Sequence, residues 1–114
     1  MEGKEKALKI AELALRKKAK DVVILDIKDI SGLCDYFVIC SADSGKQAEA
    51  IYSEVARKCR KENIKVQHFE KDQDSQWVLV DFSDVILHIF QDSVRSFYNL
   101  DQLWSSAKKI PYDE

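Results

Sequence analysis

The sequence has no apolar run approaching the roughly 20 residues of a membrane-spanning helix. Its first residues, Met1 to Lys9, are too polar for the apolar region of a secretory signal. The expectation is a cytoplasmic protein without a membrane contact. A basic excess is also missing, since 18 Lys and Arg face 20 Asp and Glu for a formal net charge of −2. Such an excess supplies most non-specific nucleic-acid affinity, so little direct nucleic-acid contact is expected. Cysteines are few and odd in number; Cys34, Cys40 and Cys59 lack the paired close spacing of zinc or redox motifs. Buried structural thiols in a reducing compartment fit them best. Only two histidines, His68 and His88, are present, too few to converge on a metal or a general-base site. A phosphate-binding loop is absent as well, because five residues before Gly45-Lys46 stands Cys40, and Gln47 takes the hydroxyl position. No catalytic, cofactor-binding or metal-binding residue is assigned.

What is present is ordinary for a globular protein: 114 residues, 46% hydrophobic and 33% charged. That length suits one domain spanning 1–114, with 105–114 reading as a frayed tail. From Lys4 to Lys20 there is no Gly or Pro, and Ala7, Ile10, Ala11 and Ala14 recur at helical spacing, with Leu8 and Leu15 widening the stripe. A first amphipathic helix is predicted there. Val22 to Leu25 and Tyr36 to Cys40 are nearly continuous apolar runs, the pattern of strands covered on both faces. Ser44 to Gln47 fits a capping box, and Ala48, Ile51, Tyr52, Val55, Ala56 and Cys59 mark the buried side of a second helix ending near Asn63. A right-handed crossover onto Val66 and Phe69 then predicts a parallel pairing. The polar stretch from Glu70 to Gln76 reads as a loop. After it come two strands, Trp77 to Phe82 and Val85 to Phe90, and a helical turn or two between Ser93 and Trp104. The fold class is α/β (α+β), one mixed sheet of about five strands flanked by helices.

The last two strands carry the informative pattern. With a tight turn at Ser83 and Asp84, Phe82 faces Val85, Val80 faces Leu87 and Val78 faces Ile89, so one face is wholly apolar. By alternation the other face presents Trp77, Leu79 and Asp81 beside Ile86, His88 and Phe90. Trp, Phe and Ile mixed with Asp and His have the composition of an interface centre, with acids suited to a basic partner. The alternative is that a helix of the same domain covers this face.

Taken in order, Asp21 to Ile27, Asp35-Tyr36-Phe37-Val38-Ile39-Cys40, Trp77-Val78-Leu79-Val80-Asp81, Asp84-Val85-Ile86-Leu87-His88-Ile89-Phe90, and Arg95-Ser96-Phe97-Tyr98 with Leu103-Trp104 resemble the iojap-like ribosomal silencing factors. The resemblance spans nearly the whole chain. It implies a translation repressor that docks on large-subunit ribosomal protein number fourteen and blocks joining of the small subunit, with no reaction involved. Trp77, His88 and Tyr98 are the docking residues it carries over; Asp81 and Asp84 are further partner-binding candidates, with Leu79, Ile86 and Phe90 from the strand face. The chain departs from the family pattern at Ala42 and Ser83, where Gly is usual, and at Lys46, where Arg is frequent.

The fold so implied is similar to that of nucleotidyltransferases, which hold two metal ions on closely spaced carboxylates after a Gly-Ser start. Asp72 and Asp74 have alternate spacing, but they fall in a polar loop and the Gly-Ser is replaced by Ser41-Ala42. A metal-dependent nucleotidyltransferase is the alternative function, with a homodimeric scaffold behind both.

Overall fold

A computed structural model of the chain describes residues 2–30, 32, 34–98 and 105–112, with the side chains of 96–98 left aside. Helix α1, Gly3–Arg16, buries Ala7, Ile10, Ala11, Leu13 and Ala14. It ends four residues before Lys20, the last cation of the predicted span, because the chain folds back. Lys18 takes a left-handed φ of 65°, the Lys18 amide donates to the Leu15 carbonyl and the Ala19 amide to that of Ala14. These two bonds make a Schellman closure and deliver the chain into β1, Lys20–Asp26. The cations at this end are engaged, Arg16 with Glu12 and Lys20 with both Asp43 and Asp92.

Strand β2, Tyr36–Ala42, is buried at every position. Helix α2, Gly45–Lys61, follows at the predicted cap: the Ser44 hydroxyl accepts from the Gln47 amide at 3.1 Å. The Gln47 side chain accepts in return from the Asp43 amide and donates to the carbonyls of Lys17 and Lys18, fastening the two helix ends together. At its far end α2 repeats the Schellman closure through Asn63 at φ 62°, with Ile64 bonded back to Cys59. The remaining elements are β3 (His68–Lys71), β4 (Trp77–Asp81), β5 (Val85–Gln91), α3 (Asp92–Tyr98) and β6 (Lys108–Lys109).

Among the described residues the strands make one mixed sheet in the order β3-β4-β5-β2-β1-β6. Its only parallel pair there is β2 with β5; the other pairs are antiparallel. The crossover after β2 therefore does not place β3 beside β2 as the sequence pattern suggested. β3 points the same way as β2 but lies at the sheet edge, bonded to β4, with β5 inserted between. The physical reason lies in composition: β5 is apolar on both sides and gains most from a central place, whereas the charged β3 tolerates an edge. Glu70 and Lys71 accordingly belong to a strand and not to the predicted loop.

The tail also differs from the frayed end expected. Lys108 and Lys109 pair with Asp26 and Leu25, Ile110 is buried, and the Tyr112 hydroxyl donates to the Val22 carbonyl. Ile110 lacks any run of neighbours that would mark a strand, and its partner lies more than eighty residues away in the chain, so local pattern could not reveal it. Both long helices cover one face of the sheet, where Ile10, Leu13, Ile51 and Val55 meet Val38, Val78, Val80, Leu87 and Ile89. The opposite face carries a smaller apolar cluster, and it positions the candidate site.

Candidate functional site

The β4–β5 pair has the register read from alternation. Val78 lies opposite Ile89 and Val80 opposite Leu87 on the helix-covered face. Trp77 opposes Phe90, Leu79 opposes His88 and Asp81 opposes Ile86 on the other. The turn is made by Ser83 and Asp84, closed by a bond from the Phe82 amide to the Val85 carbonyl. Ser83 adopts φ 83°, the conformation that Gly would take without cost at the first central position of a primed turn. The Asp81 carboxylate accepts the Ser83 amide at 2.7 Å and offsets part of that strain.

The eight sequence candidates occupy different environments. Trp77, Leu79, Asp81 and Ile86 are half-buried and share the face away from the helices. His88 is 4% exposed and Phe90 is fully enclosed, so these two rings lie beneath the surface and cannot themselves meet a partner. Phe90 shares its apolar cluster with Cys34 and Ala107, and Val94 packs against that cluster. Asp84 is drawn to the N-terminal helix instead, where its carboxylate meets the Lys6 ammonium at 2.6 Å. The Tyr98 side chain and the whole of Trp104 lie outside the described residues.

Trp77, His88 and Phe90 form a near-parallel aromatic group with their three centroids almost equally spaced. The indole and imidazole are 19° from parallel with centroids 6.0 Å apart, and the indole and the Phe90 ring are 13° from parallel at 5.7 Å. Phe37 of β2 meets the imidazole edge-on at 4.6 Å. Such arrangements suit ring quadrupoles. Phe37 and Ile39 were missed as members of this face; the signal is their alternation with Val38 and Cys40, which the β2–β5 register places against Ile86 and His88.

Within this group the Trp77 indole N–H donates to Nδ1 of His88 at 3.2 Å. That bond makes Nδ1 the acceptor, so the neutral ring carries its proton on Nε2. Nε2 is buried with no hydrogen-bond partner among the described residues. An unpaired buried donor of this kind costs about 1–3 kcal/mol. Burial pushes the imidazole pKa down to about 4, which keeps the ring neutral at physiological pH. Burial raises the thiols too, Cys34 and Cys59 to about 11 and Cys40 to about 12, so none is an activated nucleophile.

Beside Trp77, at the β3 edge, lies a groove of about 450 Å³ lined by Phe69, Glu70, Lys71, Asp72, Trp77 and Leu79. Its lining mixes three apolar side chains with two acids and one lysine. The carboxylate of Asp72 is already used as a turn acceptor, taking the amides of Gln76 at 2.6 Å and Trp77 at 3.2 Å. Asp74 offers its carbonyl to the Gln91 side chain at 3.0 Å. Ser41 and Ala42, where a nucleotidyltransferase would begin its binding loop, are interior residues of β2. Among the described residues no cluster of three His, Cys, Asp or Glu side chains is arranged to hold a metal ion.

Comparison with known proteins gives the family and the fold. A family model described as "Ribosomal silencing factor during starvation" matches residues 1–114. A relative from Bacillus subtilis named "Ribosomal silencing factor RsfS" is 41% identical over 107 residues, covering 93% of this chain and 91% of its own length. The chloroplastic protein Iojap of Arabidopsis thaliana is 33% identical over 110 residues, which are 95% of this chain and 46% of that longer protein. A crystal structure of a Chromobacterium violaceum protein superposes with a TM-score of 0.88 at 27% identity, covering 100% of this chain and 94% of the other. With the family model matching from end to end and relatives alike along nearly the whole chain, the protein belongs to the ribosomal silencing factor family.

Proposed function

We propose that this chain represses translation in the cytoplasm by docking on large-subunit ribosomal protein number fourteen and so obstructing the arrival of the small subunit. The observation that carries the reading is the half-buried Trp77, set with Leu79 and Ile86 on the sheet face that the two long helices leave uncovered. A large aromatic side chain with a rigid base beneath it is the usual centre of a protein interface. Asp81 and the Glu70 and Asp72 rim of the adjoining groove supply negative charge for a basic ribosomal protein. With a net charge of −2, the protein has no surplus to draw it to ribosomal RNA, so the protein contact dominates. Repression is steric, and no group needs to be transferred.

Sedimentation with purified large subunits tests the reading. The wild-type protein is expected to travel with free large subunits and to reduce the amount of joined ribosomes on a gradient. Trp77→Ala is expected to weaken binding by about 2 kcal/mol or more, as truncation of an interface centre does. Wild-type binding by a folded Trp77→Ala variant would remove the site assignment.

A further inference from the structure

An imidazole is a poor choice for the place His88 occupies. It lies 96% out of reach of solvent, among Phe37, Trp77 and Phe90, with one nitrogen unpaired among the described residues. Stability alone favours an apolar ring there, because Phe would fill the same layer and leave no donor orphaned. What Phe cannot supply is an acceptor for the indole N–H, and that is the bond His88 makes.

We propose that His88 is a positioning residue of the docking surface: its Nδ1 accepts the Trp77 indole N–H and holds that ring edge to edge beside the imidazole, fixing which part of the indole is offered to the ribosomal partner. This rests on the reading of Trp77 as the centre of the interface. The near-parallel ring contacts fix the plane of the indole but not which of its edges faces His88, since a half-turn about the Cβ–Cγ bond keeps the plane. The directed N–H bond selects the flip that turns Nε1 toward His88. Ordering the side chain before encounter lowers the cost of binding. His88 thereby acts through Trp77, touching no partner atom itself.

The test uses the full chain with three variants, Trp77→Phe, His88→Phe and His88→Gln. Trp77→Phe identifies the Trp77 indole resonance in a proton–nitrogen correlation spectrum. In the wild type that N–H is expected to exchange slowly with water, and His88 nitrogen shifts are expected to show Nδ1 bare and Nε2 protonated. His88→Phe should speed indole exchange and weaken large-subunit binding, each by about tenfold, the loss of one hydrogen bond. His88→Gln, whose amide oxygen accepts, should recover part of both. Those results support positioning, because a merely structural role would move stability without following the acceptor.

Protonated Nδ1 in the wild type would overturn the proposal even if His88→Phe failed to fold. So would a folded His88→Phe that binds like wild type, or one that binds weakly while the indole signal is unmoved. Failure of the docking reading looks different: there Trp77→Ala binds normally, whatever His88 does.

Discussion

At Ser83 a side chain sits where the backbone favours its absence. A φ of 83° crowds Cβ against the preceding carbonyl, and replacing Ser with Gly relieves about 1 kcal/mol while keeping the Asp81 bond to the amide. Ser83→Gly is therefore expected to raise the thermal midpoint by about 4 °C or more, read by circular dichroism or calorimetry. A lowered midpoint would mean that the hydroxyl has a partner role. His88 gives a pH signature. Its folded pKa of about 4 lies below the ordinary 6.5, so the unfolded chain takes up the proton more readily. The stabilisation is complete above pH 6.5 and is lost as pH falls toward 4, with about 2 kcal/mol gone by pH 5. Urea unfolding across that range should show a steeper decline for wild type than for His88→Gln; equal slopes would refute the buried neutral imidazole.

Among the elements, the β4–β5 hairpin was fully legible in the sequence. Two turn residues between the strands leave a single register, because a one-residue slip would move Val78, Val80 and Leu87 off the helix-covered face. The second helix was equally readable from Ser44, Gln47 and the stripe ending at Cys59. What local pattern could not supply was strand order. It predicts a parallel neighbour for β2 yet cannot say that the neighbour is β5, whose place is decided by competition between whole strands for the doubly covered centre. The charged β3 did contain a hint of its edge position. The candidate site was legible as a face but not in depth: alternation assigned His88 and Phe90 to it, while the cluster that encloses Phe90 draws on residues outside the hairpin such as Cys34 and Ala107. Gly45 tests how the elements are joined. A Cβ there would stand 2.5 Å from the Asp74 carbonyl oxygen, a contact with backbone that cannot easily yield. Helix propensity favours Ala by up to about 1 kcal/mol, but the clash costs about 1–3 kcal/mol and wins. Gly45→Ala should lower stability in urea unfolding; a gain would show the β3–β4 turn to be loosely seated.

Over the whole molecule, the returning tail ties the far edge of the sheet. Removing residues 107–114 deletes β6, the buried Ile110 and the Tyr112 bond to Val22. The truncated chain is expected to lose about 2–4 kcal/mol, on the scale of one large buried aliphatic side chain with its hydrogen bonds. Equilibrium unfolding checks this, and unchanged stability would return the segment to the frayed tail expected from sequence. The two sides of the sheet should also part company under random substitution. Because α1 and α2 crowd one side only, damaging changes at inward positions such as Val80 or Leu87 should deplete the protein in cells. Changes at alternate positions such as Leu79 or Ile86 should leave its abundance intact while silencing fails. A single pleated strand would thus write two phenotypes in every-other-residue order.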